Sequence, residues 1–220
     1  MSVLPQASLF LGVIPALILL YISLKGYEGH YKDKNVFLAF VAGIVTGFLS
    51  VLLEGYTIGV RELFIVLFPI LEQLFKTMTL NIGRLQGKRE ATIYGLSMGL
   101  GFGSIFTPFS MITYNLQMGD NSYAIVLAVI GSFGIILMHA ATGICLGYGV
   151  FSRKLSQYFI LAIILHLPIT GLSYVTALYR IEYLQVGLVV YGLIIYWYAT
   201  KKIMPQILSQ SKRRKRSKTS

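Results

Sequence analysis

Charge is the scarcest commodity in this chain of 220 residues: Asp, Glu, Lys and Arg together make up 12%, and only eight residues are acidic. A typical soluble domain carries about twice that share, so there is too little charge here to clothe a water-exposed surface. Cysteine is nearly absent as well. Cys145 stands alone, which excludes a disulfide framework and leaves it as a small packing residue in an apolar stretch. Polar segments that would link soluble domains are missing until the last twenty residues. What fills the chain instead is AVILMFWYC at 55%, with a mean hydropathy of +0.71. A soluble enzyme, a DNA-reading module and a disordered protein are excluded together.

One helical crossing of a bilayer needs about 20 apolar residues, and seven stretches qualify. They run over 8–24, 36–58, 63–82, 91–117, 123–151, 156–178 and 184–200. The expected fold is therefore all-α, a polytopic membrane protein with seven transmembrane helices in residues 1–200 and a basic, disordered cytoplasmic tail in 201–220. Placing the connectors alternately on the two sides collects Lys25, Lys32, Lys34, Arg84, Lys88, Arg89, Arg153, Lys154 and the eight basic residues of the tail on one side. Only Arg61 and Arg180 fall on the other. The excess of Lys and Arg on cytoplasmic loops then orients the chain with its N-terminus outside and its C-terminus in the cytoplasm, in a plasma membrane or an endoplasmic reticulum. No positive segment precedes the first stretch, so it is expected to remain as a helix rather than be removed as a signal. The tail, with net charge +11 for the whole chain, meets anionic lipid before any nucleic acid. Tyr56, Tyr123, Tyr179, Tyr196 and Trp197 fall at span ends, where aromatic residues form interfacial belts, and Glu54 and Glu62 sit near an end where a carboxylate reaches water.

Ionisable groups at mid-bilayer cost several kcal/mol unless they face the protein interior, which makes them functional candidates. Glu72 in the third stretch, His139 in the fifth and His166 in the sixth fall at nearly the same depth at 1.5 Å per residue. Side chains from three helices are thus expected to converge on one buried site. Each also has a plainer reading: a lone histidine can be an interhelical hydrogen bonder, and Lys76, one turn beyond Glu72, can pair with it or snorkel to the interface. Pro69, Pro108 and Pro168 interrupt the same region, each either an ordinary kink or the lining of a water-filled cavity. Gly95, Gly99, Gly101 and Gly103, with Gly43, Gly47, Gly143 and Gly147, make small-residue faces for close packing within the chain or against a partner.

The stretch Leu71-Glu72-Gln73-Leu74-Phe75-Lys76, then Tyr94-Gly95-Leu96-Ser97 with Gly99-Leu100-Gly101-Phe102, then Leu137-Met138-His139 with Gly143, and finally His166-Leu167 with Thr170-Gly171-Leu172 resembles, in order and spacing, the motif series of the superfamily that unites PrsW-type proteases, CAAX-processing proteases and the Aph scaffold subunit of gamma-secretase. The resemblance covers about residues 60–200. The proteolytic branches carry Glu-Glu where this chain has Glu72-Gln73, an acidic residue or histidine in the next motif where Ser104 to Thr107 has neither, and Asn where it has Thr170. In these departures the chain is closer in character to the Aph subunit.

Two functions follow from the resemblance. In the first, the chain is an Aph-like scaffold that packs its glycine faces and polar midplane groups against a partner membrane protein. In the second, it is a PrsW-like or CAAX-protease-like intramembrane endopeptidase acting on a transmembrane substrate. Glu72 would be the general base, His139 and His166 would stabilise the oxyanion or, with Glu72, hold a divalent metal, and Gln73, Lys76 and Thr170 would support them. A transporter or lipid-handling protein, the third possibility, would show a continuous polar path across the bilayer, and the chain has no carboxylate series to line one.

Overall fold

A computed structural model describes residues 4–57, 61–118 and 122–208. The tail beyond Leu208 and the side chains of Tyr56, Arg61 and Glu62 lie outside the described residues. All described secondary structure is helical: α1 (Leu4–Leu24), α2 (Asp33–Thr57), α3 (Arg61–Leu80), α4 (Glu90–Ser104), α5 (Phe106–Met118), α6 (Ser122–Ser152), α7 (Leu155–Tyr179) and α8 (Leu184–Tyr198), followed by a π-helical turn over Ala199–Ile203. Among the described residues, four helical stretches are long and apolar enough to cross a membrane: Asp33–Gly55, Glu90–Ile112, Ser122–Ser152 and Leu155–Tyr179. Helices are what such apolar runs must form in lipid, since they satisfy every backbone polar group from within.

The element boundaries follow the apolar stretches closely, with two differences. The stretch 91–117 is broken at Ile105 into α4 and α5. Pro108, read from the sequence as an interruption, sits in the first turn of α5 and lacks the N–H that would have bonded the Ser104 carbonyl across the break. At the other end, the helical path runs past residue 200, and Ile203, Met204 and Ile207 are buried in the core. The connectors are tight. Arg153 (φ 58°) and Arg180 (φ 54°) end α6 and α7 in the left-handed conformation, and the Arg180 N–H closes α7 on the Thr176 carbonyl.

At the centre lie α4 and α6, antiparallel and in backbone contact. A Cβ on Gly95 would meet the Gly143 carbonyl, one on Gly99 the His139 carbonyl, one on Gly143 the Gly95 carbonyl and one on Gly147 the Ala91 carbonyl; one on Gly103 would lie 2.7 Å from Ile136 Cα. Gly43, Gly47 and Gly101 seat α2 on α4 in the same way, and Gly134 and Gly192 seat α6 on α8. The small-residue faces are therefore spent inside the chain, which removes them as the surface a partner would use. Around this centre, α1, α2, α3, α7 and α8 turn large apolar side chains outward, among them Phe10, Phe37, Phe48, Val66, Met78, Ile160, Val190 and Trp197. Such a continuous apolar exterior is what lipid solvates and water does not.

The basic connectors meet at one end of the bundle. The Gly87 N–H donates to the Val150 carbonyl (3.2 Å), Arg89 Nη1 lies 3.4 Å from His30 Nδ1, and Tyr94, at the start of α4, receives the Asn35 side chain at 3.2 Å. Ser23 and Tyr196 are hydrogen-bonded across α1 and α8. In the connector after α1, hydrogen bonds from its own N–H and from the Gly26 N–H (2.8 Å) hold the Glu28 carboxyl below the usual carboxylate range.

A candidate site of three converging helices

Helix α3 explains how the site is positioned. Phe68, Pro69, Glu72, Gln73, Lys76 and Leu80 are buried, while Val66, Leu67, Leu74 and Met78 are exposed. The buried residues recur at three- and four-residue steps, so one stripe of the helix faces inward. Its polar members point in and its aliphatic members point out, the reverse of a helix on a soluble protein. Burying Glu72 and Lys76 against other polar groups while aliphatic side chains face out is the arrangement that a lipid surround favours and water does not.

Those groups come from α6 and α7, as the equal depths of the three residues predict. Glu72 Oε2 lies 3.1 Å from His166 Nε2 and 3.8 Å from His139 Nε2, and the two imidazole rings meet edge to face with centroids 5.2 Å apart. Exposure of Glu72, His139 and His166 is 1%, 0% and 4%, so the cluster is shut off from bulk solvent. Ser50 of α2 donates to Glu72 Oε1 (3.3 Å). On the far side of each ring stands a further α3 residue: Gln73 Nε2 is 2.8 Å from His166 Nδ1, and Lys76 Nζ is 3.0 Å from His139 Nδ1. Lys76 Nζ also donates to Thr142 Oγ1 (2.9 Å) and lies 4.9 Å from the centre of the Phe102 ring.

Lys76 is fully buried, so it does not snorkel to an interface, and its amine is hydrogen-bonded to His139 and Thr142 rather than to Glu72. Its four-carbon stem places the amine beyond the carboxylate, behind His139. Thr170 is buried one turn after His166 but makes no hydrogen bond to the cluster, so the supporting role expected of it falls to Gln73. Glu54, expected at an interface where it could reach water, is only half-buried as a residue, yet its Oε2 is shielded from solvent inside the bundle.

Four neighbours of the site are not among the residues the sequence singles out, although Phe102 stands inside the motif series. Ser50 and Thr142 were detectable as hydroxyls within otherwise apolar helices, Thr142 one turn beyond His139. Phe102 and Phe106 pack on His139 with centroids 4.7 and 5.0 Å away; nothing in their sequence separates them from the many other phenylalanines. The two rings are four residues apart, a spacing that puts both on one helical face toward the same imidazole.

Three polar atoms of the cluster make no hydrogen bond of acceptable geometry: Gln73 Oε1, and the facing pair Glu72 Oε2 and His139 Nε2, although Oε2 is close to His166. Buried polar atoms are nearly always satisfied, and exceptions mark a water, an ion or a reacting group. At 3.8 Å apart, both atoms of the facing pair are within reach of one water placed off the line that joins them. By spacing alone a metal ion would also fit: one ligand atom from each of Glu72, His139 and His166 lies within 4.8 Å of the others. Chemically, the arrangement offers a carboxylate base, two imidazoles that can donate toward it, and a dry surround in which charge interactions are strong. No protein-family model, curated protein or solved structure matches the chain.

Proposed function

We propose that the protein is an intramembrane hydrolase that cleaves peptide bonds in transmembrane substrates. The observation that carries this reading is the pair of unsatisfied, facing atoms Glu72 Oε2 and His139 Nε2 beside His166 Nε2. In the proposed reaction Glu72 takes a proton from a water lying between them as that water attacks the scissile carbonyl. His139 and His166 donate hydrogen bonds to the oxyanion, and Glu72 returns the proton to the leaving amine. Ser50 holds the other carboxylate oxygen, while Gln73 and Lys76 hold the imidazoles from behind.

The same proposal includes seven crossings, with the basic connectors and tail at the cytoplasmic face against anionic lipid and the N-terminus outside, in a plasma membrane or an endoplasmic reticulum. It also carries the likeness of the motifs to those of the PrsW, CAAX-protease and Aph superfamily. A second reading, the Aph-like scaffold, draws on one observation: the site is closed and Gln73, in place of a second carboxylate, is committed to His166. The internal use of the glycine faces weighs against it.

The test is to incubate the purified chain in bilayer nanodiscs with membrane proteins of its own host in H2-18O. Hydrolysis predicts fragments with 18O in new C-termini, reduced about 100-fold or more by Glu72→Gln. Unlabelled, uncut proteins together with a stoichiometric bound partner would establish the scaffold instead.

A further inference from the structure

Lys76 is the one member of the cluster whose presence neither a carboxylate base nor a pair of imidazoles requires. A fully buried amine is costly unless something holds it, and here three things do: His139 Nδ1 at 3.0 Å, Thr142 Oγ1 at 2.9 Å and the face of Phe102 at 4.9 Å. The direction of one of these hydrogen bonds can be read from Thr142. Its hydroxyl proton is committed to the His139 carbonyl (3.1 Å), so toward Lys76 it offers lone pairs and the amine must donate. An aromatic face and an accepting hydroxyl suit an ammonium, which has three N–H groups and no acceptor. With Glu72 ionised, carboxylate and ammonium also cancel, leaving the buried cluster neutral.

We propose that Lys76 is a positioning residue that fixes the tautomer of His139. An ammonium donating to Nδ1 makes that nitrogen the acceptor, and the single proton of the neutral ring then resides on Nε2, the nitrogen 3.8 Å from Glu72 Oε2. His139 is thereby a standing donor to the reacting centre and never the base, which leaves Glu72 alone in that role. The role assigned to His139 in hydrolysis rests on the function proposed above; the tautomer does not.

The same hydrogen bond decides how the donor set suits a metal. A ligating His139 Nε2 needs its lone pair free, which moves the ring proton to Nδ1, where it would face an N–H of Lys76 at 3.0 Å. A divalent ion would in addition leave the buried cluster with two uncompensated positive charges, counting one carboxylate and one ammonium. Gln73 raises no such conflict at His166, because a primary amide can present either its oxygen or its nitrogen to Nδ1. Lys76 therefore holds the place of a cation, and the metal that the spacing of Glu72, His139 and His166 would admit does not fit while it is there.

Two measurements test this. Nitrogen-15 NMR of histidine-labelled protein in nanodiscs, with His30→Gln and His166→Gln used for assignment, reads the tautomer directly in the unmutated site. A protonated Nε2 and an unprotonated Nδ1 on His139 are expected, and the opposite pattern overturns the proposal whatever the protein does catalytically. Native mass spectrometry with added Zn2+ then reads the metal. The unaltered chain is expected to take up none, and Lys76→Met, which keeps the stem and removes the charge, about one ion per chain, lost again with His139→Ala. One zinc bound by the unaltered chain and released by His139→Ala would overturn it, as would a folded Lys76→Met chain that binds none.

Discussion

Glu72 has one oxygen on the Ser50 hydroxyl and the other turned to two imidazoles, and each of those imidazoles is backed by a residue of the same helix as Glu72. The result is a chain of contacts in which removing one polar atom strands another in a dry interior. Ser50→Ala leaves Glu72 Oε1 without its donor, at an expected cost of about 1–3 kcal/mol, and Thr142→Val, nearly isosteric, leaves Lys76 one acceptor short at a similar cost. Thermal unfolding in nanodiscs checks both, and an unchanged midpoint in either variant would mean that water replaces the missing group. Thr170→Val is the contrast: having no hydrogen bond to the cluster, Thr170 should be replaceable with little effect on stability or cleavage. Residue identities at the site were legible because ionisable groups are so rare in this chain that equal depth alone singled out three of them. The partners of Lys76 were not, since a four-carbon stem can reach the interface, Glu72 or the next helix, and only the packing of α3 against α6 selects the last.

At the scale of the element, α3 carries the site and α4 with α6 carries the fold. The inward polar stripe of α3 follows from a helical period that the sequence displays; the use of the glycines does not, because a small-residue face reads the same whether the surface above it belongs to the chain or to a partner. Pro108 marked an interruption of this stretch but not its place, because the apolar run continues through Ile105 and a proline sits as comfortably in a first turn as at a kink. Gly99 and Gly171 separate packing from mere helicity. A methyl group on Gly99 would collide with the His139 carbonyl, so Gly99→Ala must push α4 from α6 and displace the imidazole with it, whereas nothing lies within 4 Å of a Cβ on Gly171. Gly99→Ala is expected to destabilise by about 1–3 kcal/mol, and Gly171→Ala to be neutral or stabilising by up to about 1 kcal/mol. Equal melting temperatures for the two would refute the close α4–α6 contact.

For the molecule as a whole, the apolar exterior and the gathering of the basic connectors at one end make orientation a measurable quantity. Cys145, wholly buried, is silent to a membrane-impermeant maleimide, so single cysteines can be introduced without replacing it. In a plasma membrane Tyr183→Cys, between α7 and α8, should label from outside intact cells and Glu28→Cys, between α1 and α2, only after permeabilisation. In an endoplasmic reticulum, selective opening of the plasma membrane should expose Glu28→Cys and leave Tyr183→Cys unlabelled, and the reverse pattern in either case would invert the proposed topology. The most direct test of the central claim, that Glu72, His139 and His166 form a hydrolytic centre within the membrane, works whatever the substrate is. It is a comparison of all protein termini in membranes of the native host carrying either the unaltered chain or Glu72→Gln at equal abundance. Hydrolysis by this site predicts termini within transmembrane segments that are present with Glu72 and absent with Gln. Identical sets of termini from the two strains would contradict it.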